Sequence, residues 1–360
     1  MMDVPGYEIL ATLAEKPRTL VFRAIRESDE RPVVLKTCRY AYPTPRDLAK
    51  MELAFEICRD FDHPHLVRCL DLFSHGNGLI LVMDDIGESA LSLTLEHGPL
   101  SIGTAIDYAV KLASALEHIH GKGVIHRDLK PSNVVHHPVT EHVRLIDFSI
   151  ASRISREKQP VVSLQSLEGS LQYLSPEQTG RMNRPVDYRT DFYAFGVTCY
   201  EMLTGQLPFS SLDPMELVHC HLAKRPVPVH KIRPEVPKAL SEIVDKLMAK
   251  AAEDRYQSAG GLAADLGECQ EQWRRGAIEI FELGERDELS IFQLPTRLYG
   301  RESEIDQMLQ AFDEVWRGGI EVLLVAGYSG VGKSALLEEI HKPIVESRGY
   351  FISTKFDQFR

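Results

Sequence analysis

HRDLKPSNVVHHPVTEHVRLIDFS, residues 126–149, is the stretch from which the rest of the chain can be read. It opens as a loop carrying Asp128, Lys130 and Asn133. It continues into a hairpin of Val134-Val135 against Val143–Ile146 and leaves that hairpin at Asp147. A hairpin returns the chain to the end where it began, so two carboxylates and an amide are brought to one end of a small sheet. Oxygen ligands gathered in this way suit a hard cation such as Mg²⁺ and a phosphate-bearing substrate.

The 360 residues leave room for one full-sized domain and a remainder. An apolar fraction of 44% and a charged fraction of 26% are those of an ordinary globular protein. The formal net charge of −11 carries no general basic footprint for nucleic acid or anionic lipid. Cys38, Cys58, Cys69, Cys199, Cys220 and Cys269 are scattered and never form CxxC, as expected of reduced thiols in a cytoplasmic protein. MMDVPGYEIL at the N-terminus lacks the basic and apolar regions of a signal peptide, and no apolar run reaches membrane-spanning length. The histidine pairs His63/His65, His118/His120, His136/His137 and His219/His221 have no cysteine or carboxylate at zinc-finger spacing, so no zinc site is expected.

The pattern Asp128, Lys130, Asn133 and Asp147 resembles the protein-kinase signature, and its LKPSN form is similar to that of Ser/Thr kinases. The resemblance implies an α+β, bilobal fold with a small β-rich N-lobe and a helical C-lobe. Strands are expected at Tyr7–Leu13, Leu20–Arg26 and Pro32–Thr37, the last carrying VVLK. Its Lys36 matches the strand lysine that pairs with the α- and β-phosphates of ATP. The lid between the first two strands, LAEKPRTLVF, has Ala14 and Lys16 where the family places glycines that let backbone N–H groups approach phosphate. Lys16 and Arg18 either compensate by charge or form a solvated basic turn. In the helix expected at Pro45–Phe61, the place of the family's lysine-pairing glutamate falls on Ala54. Glu52 and Glu56 lie about 200° from that face. The strand Leu79–Met83 leads into DDIGE, which resembles the hinge; backbone near Asp84 and Ile86 would hold adenine, with Met83 beside it.

The amphipathic helix Ile102–His120, closed by Gly121, delivers the chain into the catalytic loop. By resemblance, Asp128 orients the substrate hydroxyl and accepts its proton, Lys130 neutralises the γ-phosphate, and Asn133 and Asp147 hold Mg²⁺. Arg127 positions the activation segment. Ser149 stands where the family has glycine, which restricts the in/out movement of that segment. Serines 152, 155, 163, 166 and 170 form either solvated coil or regulatory phosphorylation sites. GSLQYLSPE, 169–177, resembles the substrate-docking loop; Glu177 would pair with Arg255, and Asp191 would brace the backbone of the HRD loop.

From Gly276 the pattern loosens into a partly packed linker. A helix follows from Arg301 to about Arg317, then an apolar strand EVLLVA, 321–326, then GYSGVGKS, 327–334. That is a P-loop in its required context between strand and helix. Gly327, Gly330 and Gly332 belong to this nucleotide-binding loop: backbone amides of Gly330–Lys333 would cradle phosphate, Lys333 would bridge the β- and γ-phosphates, and Ser334 would contact Mg²⁺. LYGRE ahead of it resembles the entry box of AAA-type and signalling ATPases. A P-loop sheet needs several parallel strands, and only one or two precede Arg360, so a fragment of a longer protein is expected. The organisation reads as a kinase domain over 7–272, a linker over 273–297 and the start of a P-loop ATPase domain over 298–360. The order resembles bacterial, cyanobacterial-type fusions in which a Ser/Thr kinase precedes an ATPase module and a sensor histidine kinase.

The leading expectation is therefore an active Ser/Thr kinase using ATP and Mg²⁺ on an unidentified protein substrate, without nucleic acid. The alternatives are a pseudokinase scaffold, favoured by the glycine-free lid and Ala54, and a P-loop ATPase regulated by the kinase lobe.

Overall fold

Alternating apolar and polar residues near the N-terminus form a five-stranded antiparallel sheet of order β1-β2-β3-β5-β4 in the computed structural model of the chain. The structure describes residues 3–85, 87, 89–137, 139–153, 171–180, 185–276, 278–288, 301–326, 333–338 and 344. The strands are β1 (Tyr7–Glu15), β2 (Thr19–Arg26), β3 (Arg31–Cys38), β4 (Cys69–His75) and β5 (Gly78–Asp84). They run slightly further than their alternation suggests because pairing continues to their ends, with Glu15 opposite Leu20 and Cys38 opposite Thr19. Phe22, Ala24, Val33, Leu35, Ile80 and Val82 form a buried cluster with Val4. Helix α1 (Pro45–Cys58) packs against β4 and β5. A capping box starts it: Thr44 Oγ1 accepts from Asp47 N–H, Asp47 accepts from Thr44 N–H, and Pro45 occupies the first helical turn.

The helical part follows. Its elements are β6 (Ser89–Ala90), α2 (Leu91–Leu95), α3 (Ile102–Gly121), β7 (Val124–Ile125), β8 (Val134–His137), β9 (His142–Leu145), β10 (Ser152–Arg153), α4 (Arg189–Thr204), α5 (Pro214–Ala223), α6 (Val229–Ile232), α7 (Lys238–Leu247) and α8 (Ala259–Arg274). The expected hairpin is β8 and β9, with Val134 opposite Leu145, joined by β6 into a three-stranded sheet. Helix α3 buries Ile106, Ala109, Leu112, Ala113, Leu116 and Ile119 along one stripe. It runs through Gly121, the residue expected to cap it. Lys122 is the cap, and Gly123, at φ +70°, takes the left-handed conformation that ends the helix. Helix α4 is buried on nearly every side, and Gly196 lets it approach α7: a Cβ there would stand 2.8 Å from Leu247 Cβ.

By contacts the chain divides into two units, the first comprising 1–158, 187–208 and 227–288. Within it, residues 278–288 of the expected linker are bound to α8. Asp287 accepts from Gln257 N–H (2.8 Å), Ser258 N–H (2.9 Å) and Ser258 Oγ (3.0 Å) at the start of that helix. Asp265 accepts from Gly284 N–H (2.8 Å) and from the Tyr256 hydroxyl (2.6 Å).

The second unit comprises 159–186, 209–226 and 289–360. In it, Asp213 caps α5 by accepting Met215 N–H at 2.9 Å, and Phe209 meets the His221 ring edge-on at 5.3 Å. Helix α9 (Glu302–Trp316) lies where the pattern placed it, and α10 (Lys333–Glu338) begins at the P-loop lysine. Residues 321–326 depart from the expectation of a strand. Among the described residues they have no ladder partner, and Val322, Leu323 and Leu324 are exposed. An apolar run marks a strand only where a neighbour supplies its hydrogen bonds. Gly327, Gly330 and Gly332 lie outside the described residues. Among the described residues no helix is long and apolar enough to cross a membrane.

The bonds from Asp287 make a testable claim about stability. Replacing Asp287 with Ala removes three acceptor contacts at the start of α8. The expected loss is about 1–3 kcal/mol of unfolding free energy, or several degrees of Tm. Thermal unfolding of the full chain measures it; an unchanged Tm would mean that 278–288 contribute nothing to the folded unit.

Candidate active site

The site is built on one buried carboxylate. Asp191, in the first turn of α4, is fully buried and accepts the backbone N–H groups of His126 and Arg127, each at 2.8 Å, and a hydrogen bond from His120 Nε2 at 2.9 Å. Burial raises its pKa, and the His120 bond, the neighbouring imidazoles and the Arg127 amide outweigh this, leaving it below the usual carboxylate value. The two amides hold Arg127 at φ +69°, a conformation that costs a non-glycine residue on the order of 1 kcal/mol. His126 donates from Nε2 to Ile146 O at 3.0 Å and accepts Asp128 N–H at Nδ1 (3.2 Å), which ties the loop to the exit of the hairpin.

Asp128 emerges from this bend. Lys130 Nζ reaches both of its carboxylate oxygens at 2.7 Å. Asn133 donates from Nδ2 to Asp128 O and Oδ2, each at 2.8 Å. Its Oδ1 is buried and has no hydrogen-bond partner among the described residues. A buried amide oxygen is normally satisfied, so this one is poised for a ligand outside the chain. Ile146 N–H donates to Asn133 O at 2.9 Å, so Asp147 follows directly onto the same surface.

Asp147 also lies in the left-handed region, at φ +68°. Lys36, buried on β3 between Val21 and Leu81 of the adjoining strands, donates to its Oδ1 at 2.6 Å. Ser149 donates to the same oxygen from its hydroxyl and from its N–H (3.3 Å), and its Oγ accepts a bond from Lys36 Nζ at 2.9 Å. Burial acts to raise the Asp147 pKa, but the Lys36 ammonium and the Ser149 hydroxyl hold it well below the carboxylate range. Among the described residues these bonds all fall on Oδ1, so Oδ2 and the Asn133 oxygen are the oxygen ligands left for a cation. The pair fits Mg²⁺, which takes one or two protein oxygens and completes its shell with water and phosphate.

Around this centre the expected residues are distributed unevenly. Ala54 is buried on α1, whereas Glu52 and Glu56 are exposed, and Glu56 meets Arg153 at 3.5 Å. Lys36 is therefore paired with Asp147 and Ser149. At the lid, Lys16 N–H donates to Thr19 O at 2.9 Å and closes the β1–β2 turn. Arg18 turns away to Asp47 at 3.2 Å, while the Lys16 ammonium lies within electrostatic reach of Asp147, Lys36, Lys130 and Asp128. Lys16 is exposed to solvent along its length, yet crowding of its ammonium by the protein and the neighbouring lysines lower its pKa against the pull of Asp147 and Asp128. The two cations that the sequence left as equals are thus separated.

The hinge is fastened on both sides. Asp84 pairs with Arg144 at 2.8 Å, and its N–H is committed to Arg68 O at 3.1 Å; Asp85 pairs with Arg23 and accepts Gly87 N–H at 2.8 Å. Ile86 lies outside the described residues, and Met83 is buried beside Asp84. Sequence reasoning did not find Arg23, Arg144 or the Lys36–Ser149 bond, because nothing in their spacing signals a partner 62, 60 or 113 residues away. Arg255 is buried, donating to the carbonyls of Ala249 (2.8 Å), Arg189 (2.9 Å) and Lys250 (3.1 Å). The histidines are structural neighbours: the rings of His63 and His118 are 5.2 Å apart, and His136 bonds Tyr108 and Thr94.

Comparison with known proteins bears on the whole arrangement. The chain is 31% identical to a probable serine/threonine-protein kinase of Clostridium perfringens, over 72% of its own length and 38% of that protein. It is 37% identical to the serine/threonine-protein kinase pkn2 of Myxococcus xanthus, over 57% of its length and 25% of that protein. It is also 30% identical to hybrid signal transduction histidine kinase G of Dictyostelium discoideum, over 74% of its length and 10% of that protein. The chain thus spans well under half the length of these relatives. Residues 297–360 match the AAA ATPase domain family. Residues 12–265 match the protein kinase domain, the α+β fold with a sheet-built first lobe and a helical second lobe, and they contain every part of the site from Lys16 to Asp191. The chain belongs to the protein kinase domain family.

Proposed function

We propose that this chain is a Ser/Thr protein kinase module that transfers the γ-phosphoryl group of Mg·ATP to a hydroxyl of a protein substrate. The observation that carries the reading is the buried Asn133 Oδ1, without a hydrogen-bond partner among the described residues, on a loop that also presents Asp128 and Lys130 and is bonded to Ile146 next to Asp147. A scaffold has no use for an unsatisfied buried oxygen, which costs on the order of 1–3 kcal/mol until it finds a ligand.

Asp128 holds the substrate hydroxyl in line and takes its proton as the new P–O bond forms and the β–γ bridging bond breaks, releasing ADP. Lys130, now on Asp128, moves its charge to the transferring phosphoryl group. Lys36 holds the α- and β-phosphates, and backbone at Asp84 and Ile86 holds adenine. Asn133 and Asp147 are the residues to hold Mg²⁺, which when bound neutralises phosphate oxygens. Lys16 reaches over the phosphates and supplies by charge what a glycine lid supplies through backbone amides. The kinase domain covers 7–272 and the linker 273–297. From 298 an ATPase domain begins, in which Gly327, Gly330, Gly332, Lys333 and Ser334 take a second nucleotide. The match of 297–360 to the AAA family and the similarity to a hybrid histidine kinase support a place in a larger signalling protein, of the bacterial, cyanobacterial-type kind, with sensor histidine-kinase modules downstream. Ala54 favours a second reading, a scaffold that binds partners without catalysis. A third makes the P-loop ATPase the engine and the kinase lobe its regulator.

Asp128→Asn should lower kcat by about 100- to 10,000-fold, and Asp147→Asn should abolish transfer without unfolding the chain. Radiolabelled phosphate transfer to a generic protein substrate, with circular dichroism on each variant, makes the measurement. Transfer near the wild-type rate in Asp147→Asn would refute the kinase reading. Nucleotide turnover lost in Lys333→Ala and kept in Asp147→Asn would point to the ATPase as the engine.

The lid makes a separate prediction. Lys16→Ala should weaken Mg·ATP binding about ten- to hundredfold, the worth of a charged hydrogen bond. Arg18→Ala should leave it nearly unchanged, since Arg18 is held by Asp47. Because the Lys16 pKa is lowered, its amine loses its proton earlier than an ordinary lysine as pH rises. ATP affinity should therefore fall in the alkaline range in wild type and hold better in Lys16→Arg. Calorimetric titration from neutral to alkaline pH reads both effects; equal affinities for wild type and Lys16→Ala would remove Lys16 from the site.

A further inference from the structure

The kinase reading leaves one problem: what orients Lys36. Its ammonium is buried at the end of a long flexible side chain, and a lysine in this role needs a second partner to fix its direction. In the kinase arrangement that partner is a glutamate on the helix after β3, which couples catalysis to the position of that helix. Here α1 offers none, since Ala54 fills the buried position, Glu52 is exposed, and Glu56 is exposed and occupied by Arg153. With Asp147 as its only partner, Lys36 would be drawn onto the carboxylate that must also serve a metal.

Ser149 closes this gap. Its Oγ is 2.9 Å from Lys36 Nζ, while its O–H and N–H are both directed to Asp147 Oδ1. A hydroxyl has one proton to give and lone pairs to receive, so it donates to the carboxylate and accepts from the ammonium at once. Lys36, Ser149 and Asp147 thus form a closed ring of three bonds that fixes the lysine, shares its charge and holds Asp147 at φ +68°. Neither glycine nor alanine at 149 can complete it.

We propose that Ser149 is the positioning residue for Lys36 in phosphoryl transfer. It replaces the helix glutamate, so the active alignment is set within the Asp147–Ser149 segment and is independent of where α1 lies. This rests on the kinase reading above. A misdirected Lys36 still attracts the triphosphate through its charge, but it does not hold the phosphates in line, so the loss falls on kcat more than on KM.

The experiment is steady-state transfer with Mg·ATP by the full chain, comparing wild type, Ser149→Ala, Ser149→Gly, Ser149→Thr, Ala54→Glu and the double variant Ala54→Glu/Ser149→Gly. Thermal unfolding is run on each. Asp128→Asn is the control for the kinase reading: if it equals wild type, that reading fails and Ser149 is not the cause. Given activity that depends on Asp128, Ser149→Ala and Ser149→Gly should lose about ten- to hundredfold in kcat with KM for ATP changed far less. Ser149→Thr, which keeps the oxygen, should retain most of the rate. Ala54→Glu should do little in wild type and should restore at least about tenfold to Ser149→Gly, a coupling that additive effects cannot produce. Wild-type kcat in folded Ser149→Ala would overturn the proposal, as would Ser149→Thr as slow as Ser149→Ala. If Ala54→Glu crowds the buried face and unfolds the chain, the Ala and Thr variants decide alone.

Discussion

The bonds from Asp191 to the amides of His126 and Arg127 are the constraint on which the site depends. The catalytic loop must reverse sharply enough to place Asp128, Asn133 and Asp147 on one surface, and it does so through Arg127 in a left-handed conformation. Nothing local favours that conformation. It persists because a carboxylate at zero exposure, which itself must be satisfied, can be so only while both amides point at it. Helix α4 is buried on nearly all sides, so the carboxylate cannot move to accommodate another loop. The packing of one helix thereby becomes the geometry of a site at the open end of a hairpin.

Against that fixed loop, the N-terminal sheet brings a single buried cation. The Lys36–Asp147 pair spans 111 residues of sequence and ties β3 to the exit of β9. Two further pairs hold the connection between them: Asp84 with Arg144 and Asp85 with Arg23, the first linking the end of β5 to β9, the second to β2. Partly buried pairs of this kind serve geometry more than net stability, since desolvation cancels much of their attraction. Their effect is that the end of β5 and the edge carrying Asp147 belong to one ionic framework.

Much of this was legible. The β8–β9 hairpin could be read from Val134-Val135 and Val143–Ile146, the core stripe of α3 from its period, and the start of α1 at Pro45. Local patterns fail where the deciding partner is distant. Gly121 carried a helix-ending signal, yet it is the last helical residue and Lys122 is the cap, with Gly123 taking the left-handed turn, because backbone bonds, not residue type, end a helix. The run 321–326 has the composition of a strand and has no ladder partner among the described residues, since composition cannot supply the neighbouring strand.

By itself, then, the order of residues determined which groups are present and in what local setting: two carboxylates, an amide and a lysine around a hairpin, a lid without glycines, and a helix with alanine where a glutamate was wanted. Those are properties of types and short spacings, and short spacings translate directly into turns and faces. Tertiary structure alone decided that Arg18 pairs with Asp47, how Lys36 is satisfied without the helix glutamate, and that Asn133 Oδ1 has no hydrogen-bond partner among the described residues. Each of these depends on the meeting of elements dozens of residues apart, and side-chain direction at such meetings is set by packing rather than by the chain's local sequence.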